Sequence, residues 1–203
     1  MEKMRVFEDS WRDVFKDDNL PFYTVQIAPY LYSTRKDPKV HTPELLPLFW
    51  EAQTRCLKLP HTYMVVTTDL VDNLKDIHPS YKWIIGQRIA AQALATEYGK
   101  TDMDAFHPAF VKMKRSGRKL QVTFSHTGGV LRTSDGKPAS WFSIAGKDKQ
   151  FSAAKVRIDG DQLILTTDKV RKPKYIRFAW HETAMPNIVN AAGLPVIPFR
   201  TDK

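Results

Sequence analysis

Residues 1–104 alternate helical and strand-like patterns, but only two of the runs read as strands. "FEDSWRDVF" spaces Phe7, Trp11, Val14 and Phe15 at helical intervals. "PFYTVQIAPY" is a short aromatic and β-branched run bounded by Pro21 and Pro29, which predicts a buried strand. "TPELLPLFWEAQTRCLKL" opens as a helix, with Thr42 as N-cap candidate, Pro43 at the first helical position and Glu44 in the first turn. Pro47 either sits within that first turn or kinks it. "TYMVVTT" reads as the second strand, and "SYKWIIGQRIAAQALATEYGK" as a long helix with Ile85, Ile89 and Ala93 as apolar positions and Gly99 at its end. The order α-β-α-β-α predicts right-handed crossovers and a parallel sheet covered on both faces. Two strands do not complete a doubly wound sheet, which normally has about five or six. The pattern therefore predicts that further strands come from a missing N-terminal segment, a second polypeptide or another copy of the chain.

Beyond residue 104 the period changes to two. "KLQVTFS" alternates Leu120, Val122 and Phe124 with polar positions, and "ASWFSIAG", "AKVRIDGDQLILTT" and "KPKYIRFAW" follow at short intervals. Asp159-Gly160 between "AKVRI" and "QLILT" signals a hairpin. Four or five such strands predict an antiparallel, sandwich-like module. The charge changes at the same place. Residues 1–104 carry 13 Lys/Arg against 15 Asp/Glu, whereas residues 105–203 carry 18 against 7, a balance of +11 within the net charge of +9. Two modules are expected, 1–104 and 105–203. The basic half reads as solvated strand faces, or as a surface for anionic glycans. Its cations are spread over several segments with no nucleic-acid-binding motif, so a nucleic-acid partner is not expected.

Several function classes are disfavoured by pattern. No apolar run approaches the roughly 18 residues of a membrane span, and "MEKMRVFEDSWRDVF" lacks the apolar core of a secretory signal. The single Cys56 excludes an internal disulfide framework and a multi-cysteine metal site; it reads as a small core residue. His41, His61, His107, His126 and His181 show no metal-ligand spacing, and no G-x-S-x-G, P-loop or dinucleotide fingerprint is present. No metal or organic cofactor is expected.

The stretch "TTDLVDNLKDIHPS", Thr67 to Ser80, follows the second strand and precedes the long helix. In an open parallel sheet ligands bind at the carboxyl ends of strands. His78 there would stand at the sheet's rim as a general base, with Asp69, Asp72 or Asp76 close enough to hold its tautomer. The bland alternative is that Asp76 and His78 decorate a helix start, with Pro79 in its first turn. Trp141, Tyr175, Phe178 and Trp180 read as sandwich core, or as a sugar-stacking face.

"LPFYTVQIAPY", "LFWEAQTRCLKLPHTYMVVTTDLVDNLKDIHP", "FSHTGGVLRTSDGK", "AKVRIDGDQLIL" and "GLPVIPFRTD" together resemble the C-terminal half of a sialate O-acetylesterase, of the SGNH/GDSL-type serine hydrolases. The resemblance spans nearly the whole chain in order. It implies part of a flavodoxin-like α/β/α hydrolase sheet followed by a β-rich accessory module. The implied activity is removal of O-acetyl esters from sialic acid or related sugars, without cofactor. His78 of "DIHP" matches the family's catalytic histidine, which would deprotonate a serine and then protonate the leaving sugar hydroxyl. The supporting carboxylate often stands three residues earlier, where this chain has Lys75; Asp76 is the leading replacement, with Asp72 and Asp69 as alternatives. Gln26 and Gln53 fall in matching stretches and receive no role. The family's nucleophilic serine block has no counterpart here, and Ser10, Ser125 and Ser143 lie in unlike settings. The isolated chain is accordingly expected to be inactive. Full-length relatives commonly carry export signals.

Overall fold

The helices and strands expected over the first hundred residues are present in the computed structural model, which describes residues 1–34 and 42–202. They are α1 (Glu2–Phe15), β1 (Phe22–Val25), α2 (Leu45–Cys56), β2 (Thr62–Val65) and α3 (Lys82–Glu97). β1 and β2 pair in parallel, from Phe22 opposite Thr62 to Val25 opposite Val65. α2 starts later than the Thr42 cap implies: the Leu45 N–H bonds the Thr42 carbonyl in a preceding turn, and the helix begins there. Pro47 lies in its first turn, where a missing N–H costs nothing. Past α3, Gly99 turns the chain at φ 65° so that the Lys100 N–H reaches the Leu94 carbonyl.

The helices do not bury the faces their apolar residues suggest. The fully buried positions of α1 are Glu8 and Arg12, whereas Phe7, Trp11 and Phe15 are 50%, 43% and 60% exposed. Glu8 accepts the Thr62 hydroxyl at 3.0 Å, and Arg12 donates to the Pro60 carbonyl at 2.9 Å. In α3 the buried positions are Arg88 and Gln92, with Ile85 and Ile89 only half-buried. The reason is the strand edge. β2 turns alternate backbone groups away from β1, and unpaired groups of this kind must find partners. Arg88 Nη1 donates to the Val66 carbonyl at 2.8 Å, Gln92 Nε2 to the Met64 carbonyl at 3.0 Å, and the Val66 N–H donates to His107 Nε2 at 3.1 Å. Side chains thus occupy the edge where a neighbouring strand was expected. Gln53 does the same at the end of β1, donating to the Val25 carbonyl and accepting the Ile27 N–H, both at 3.1 Å.

Residues 105–202 carry more strands than expected, because several are only two or three residues long. They are β3 (Ala109–Ser116), β4 (Lys119–Ser125), β5 (Leu131–Thr133), β6 (Phe142–Ala145), β7 (Ser152–Ala153), β8 (Lys155–Asp159), β9 (Gln162–Thr166), β10 (Tyr175–Phe178), β11 (Ile188–Asn190) and β12 (Phe199–Arg200). Their sheets, all antiparallel, have the orders β3-β4-β9-β8, β12-β10-β6-β7 and β11-β5. The Asp159-Gly160 hairpin forms as read, with Asp159 opposite Gln162 and Gly160 at φ 64°. One core joins Leu120, Val122, Leu163 and Leu165 to Phe142, Ile144, Ile176 and Phe178. α2 enters the same core through Leu46 and Trp50, and the Trp50 indole N–H donates to the Ile27 carbonyl at 2.6 Å. Ion pairs from Arg200 to Glu51 (3.1 Å) and Arg177 to Glu44 (2.8 Å) add to this contact. No helix among the described residues is long and apolar enough to cross a membrane.

Candidate active site

The segment from Thr67 to Ser80 leaves the carboxyl end of β2 and is held by short-range polar contacts. The Thr67 hydroxyl donates to the Gln26 carbonyl at 2.9 Å, joining the ends of the two parallel strands. The Leu31 N–H bonds the Leu74 carbonyl at 3.1 Å, and the Asp76 N–H the Asn73 carbonyl at 3.1 Å. These bonds leave the tip of the loop in solvent, and the His78 side chain is 82% exposed.

The three candidate carboxylates have different partners. Asp69 is taken by Arg88, with Nη1–Oδ1 at 2.9 Å and Nη2–Oδ2 at 2.5 Å, a two-pronged pair that also orients Arg88 toward the β2 edge. Asp72 accepts the Ser80 hydroxyl at 2.7 Å, which holds its carboxyl below the usual range. Asp76 lies beside His78: its Oδ1 accepts the His78 N–H at 2.9 Å and stands 3.3 Å from His78 Nδ1. The carboxylate thus stands beside one ring nitrogen of a side chain that otherwise lies in solvent. The bond to the backbone N–H is the local turn expected of an Asp two residues ahead, so the carboxylate shapes the loop that carries the ring.

The other histidines are dispersed. His107 is buried between the Val66 N–H and the Pro195 carbonyl, His181 Nδ1 is 2.8 Å from the Thr183 hydroxyl, His126 packs on Phe106, and His61 lies in a turn at φ 52°. His41 lies outside the described residues. No group of three or more potential metal ligands occurs among the described residues. Cys56 is half-buried, with its thiol on the Ala52 carbonyl at 3.4 Å.

Of the serines, Ser80 shares the loop with His78 but is bonded to Asp72, and the three weighed from the sequence lie on other elements. Ser10 donates to the Val6 carbonyl of its own helix, Ser125 points to Ala109 and Ser143 to Arg177. The aromatic residues considered as one sugar-stacking face do not share a face. Phe178 and Trp180 are buried and Tyr175 is half-buried, because strand alternation sends neighbouring side chains to opposite sides. Trp141 alone is well exposed, at φ 64°, with its ring 6.0 Å from that of His181.

Sequence reasoning gave Gln26 no role and missed Thr68 and Glu182. Gln26 is fully buried at the carboxyl end of β1, and neither amide atom meets a hydrogen-bond partner among the described residues; the Thr68 hydroxyl shares that condition. Glu182 is buried, accepts the Ser33 N–H at 2.9 Å and the Ser33 hydroxyl, and its backbone ties Tyr30 and Pro43 together. The one signal for Gln26 was an amide in an otherwise apolar strand run; Glu182 had none.

No protein-family model matches the chain, and no curated protein matches it. Among solved structures, a carbohydrate acetylesterase from Xanthomonas citri superposes with a TM-score of 0.86 at 35% sequence identity. The match covers 96% of this chain and 43% of that enzyme, so the chain spans less than half the enzyme's length. Nearly the whole chain is therefore related in sequence and structure to part of a carbohydrate acetylesterase.

Proposed function

We propose that this chain provides the histidine half of a carbohydrate-esterase site of the sialate O-acetylesterase type, completed by polypeptide beyond these 203 residues. In this reading β1 and β2, with α1 and α3, are part of a flavodoxin-like α/β/α sheet of the SGNH class within residues 1–104, and residues 105–203 form an accessory module. The observation that carries it is the His78–Asp76 pair on the loop after β2, with Nδ1 facing the carboxylate and Nε2 open to solvent.

The chemistry follows from that geometry. Nε2 of His78 takes the proton of an incoming serine hydroxyl as its oxygen attacks the acetyl carbonyl. The imidazolium, stabilised by Asp76, then protonates the departing sugar oxygen, leaving an acetyl-serine. Water, deprotonated by the same nitrogen, releases acetate and restores the serine. The completing polypeptide brings the nucleophile and adds to the free side of β1. It also covers the apolar row Phe7, Trp11 and Phe15, which continues onto the Phe22 ring with Phe7 and Phe22 centroids 5.8 Å apart. The 35% identity to a carbohydrate acetylesterase supports an acetylated sugar as substrate.

The test is acetate release from O-acetylated sialic acid. The chain alone is expected to give none above background. Mixed with a separately expressed segment carrying the serine block it should turn over, and His78→Ala in the mixture should lose on the order of 10⁴-fold in kcat. Turnover that survives His78→Ala would overturn the assignment.

A further inference from the structure

A large concavity lies away from His78, in the β-rich half. It has a volume of about 790 Å³ and is formed by β3, the start of β4, the loop between β6 and β7, and the loop between β9 and β10. Six cations line it: Arg115, Lys147, Lys169, Arg171, Lys172 and Lys174. All six are exposed, and none meets a carboxylate within ion-pair distance among the described residues. Cations elsewhere on this half do pair: Lys155 with Asp168 at 3.0 Å and Arg157 with Asp159 at 3.1 Å. Asp148 is the one carboxylate among the lining residues, and it accepts the Gln150 N–H at 3.2 Å.

Like charges gathered on a concave surface focus their potential, and an anion bound there offsets their repulsion beyond what diffuse salt does. Tyr175, next in sequence to Lys174, lies against two ammoniums. The ammoniums of Lys174 and Lys149 stand 4.9 and 5.5 Å from its ring, and Lys174 beside its oxygen holds the phenol below its usual range. The six exposed cations come from β3, the loop between β6 and β7 and the loop between β9 and β10, on the wall of one open cleft. They suit a chain with a negative charge on successive units. The lining contains no aromatic ring on which a nucleobase could stack, while its Val170 and Pro173 floor suits the apolar faces of sugar rings.

We propose that this cleft binds a carboxylate-bearing polysaccharide, a uronate chain, and so holds an anionic glycan on the accessory module. The choice of a glycan rests on the esterase reading; the anion site rests on the cleft itself.

Calorimetric titration of the chain with oligogalacturonate tests the inference, with a neutral xylo-oligosaccharide and a single-stranded oligonucleotide as comparison ligands. Oligogalacturonate should bind saturably and weaken steeply with salt, and the neutral sugar should not bind. Lys169→Gln/Arg171→Gln/Lys172→Gln should weaken binding by about tenfold or more. Lys3→Gln/Lys16→Gln/Lys82→Gln removes the same charge from the other half and should change it by less than about twofold. Absence of binding, or equal loss in both triple variants, overturns the site. Tighter binding of the oligonucleotide overturns the glycan. Because binding is read without turnover, failure of the esterase assay leaves this result standing on its own, and His78→Ala should bind as the parent does.

Discussion

His107 makes folding of this chain sensitive to mild acid. Its ring is 3% exposed and bridges the end of β2 to the Pro195 segment. Nε2 accepts the Val66 N–H at 3.1 Å, so the proton sits on Nδ1 and is donated to the Pro195 carbonyl at 2.9 Å. Protonating Nε2 would turn an acceptor toward a donor in a dry site. Burial pushes the pKa down to about 4 from 6.5; the Pro195 carbonyl opposes this, Arg88 adds to it and Asp69 partly offsets it. The unfolded chain therefore binds the proton before the folded one does. Stability is fully present above about pH 6.5 and falls as the pH is lowered toward 4. The complete swing is about 3 kcal/mol, of which about 2 kcal/mol is gone at pH ~5. Urea unfolding of the parent and of His107→Gln, near neutrality and near pH 5, measures it. The glutamine oxygen can still accept the Val66 N–H while losing the Pro195 bond, so the variant starts about 1–2 kcal/mol less stable. It should then lose about 2 kcal/mol less on acidification, since carboxylate titrations common to both proteins cancel in the difference. Equal losses in the two proteins, or the His107 imidazole of the folded chain titrating near 6.5 by NMR, would refute the argument.

Two further substitutions probe the sheet ends. Gln26→Met replaces a buried amide that meets no partner with an apolar chain of similar shape; the variant should gain about 1–3 kcal/mol in urea unfolding, and a loss would mean the amide is paired. Gln53→Leu strips the Val25 carbonyl and Ile27 N–H of their partner. It should cost about 1–2 kcal/mol and raise self-association in light scattering, and unchanged values for both would sink the edge-capping role.

Local features were legible in the sequence. The two parallel strands follow from β-branched runs between prolines, the β8–β9 hairpin from Asp159-Gly160, and the Thr67–Ser80 loop from its polar break between strand and helix. The position of Asp76 two residues before His78 carried its own geometry, because an Asp at that spacing bonds the later N–H. What was not legible depends on distant pairs. Arg88 and Gln92 lie in a helix where charge and amide read as a solvated face, yet they are its most buried residues because a strand edge lies opposite. β7 and β12 have two residues each and exist through pairing, with no period to detect. The unpaired cleft cations were visible only as an excess of charge, since which lysines lack a carboxylate neighbour is settled by the fold.

The edge contacts also decide where a completing segment attaches. Along β1, Phe22 and Gln26 send their N–H groups to the carbonyls of His61 and Val65, each at 2.8 Å. Tyr23, Val25 and Ile27 therefore send theirs to the opposite side. On β2 the corresponding outward groups, at Met64 and Val66, are already bonded to Gln92, Arg88 and His107. Displacing those three would strand a buried cation, an amide and an imidazole, each costing more than the strand bond it yields. On the β1 side Gln53 and the Trp50 indole cap only the Val25 carbonyl and the outward groups of Ile27, and those of Tyr23 are unclaimed by any strand among the described residues. An incoming parallel strand therefore meets less competition at β1 than at β2. The exposed Phe7–Trp11–Phe15 row of α1 is a further apolar surface that a helix of the incoming segment can bury. In the proposed esterase the serine then approaches His78 across the carboxyl ends of β1 and β2, past Gln26 and Thr68, whose unpaired polar atoms lie on that path.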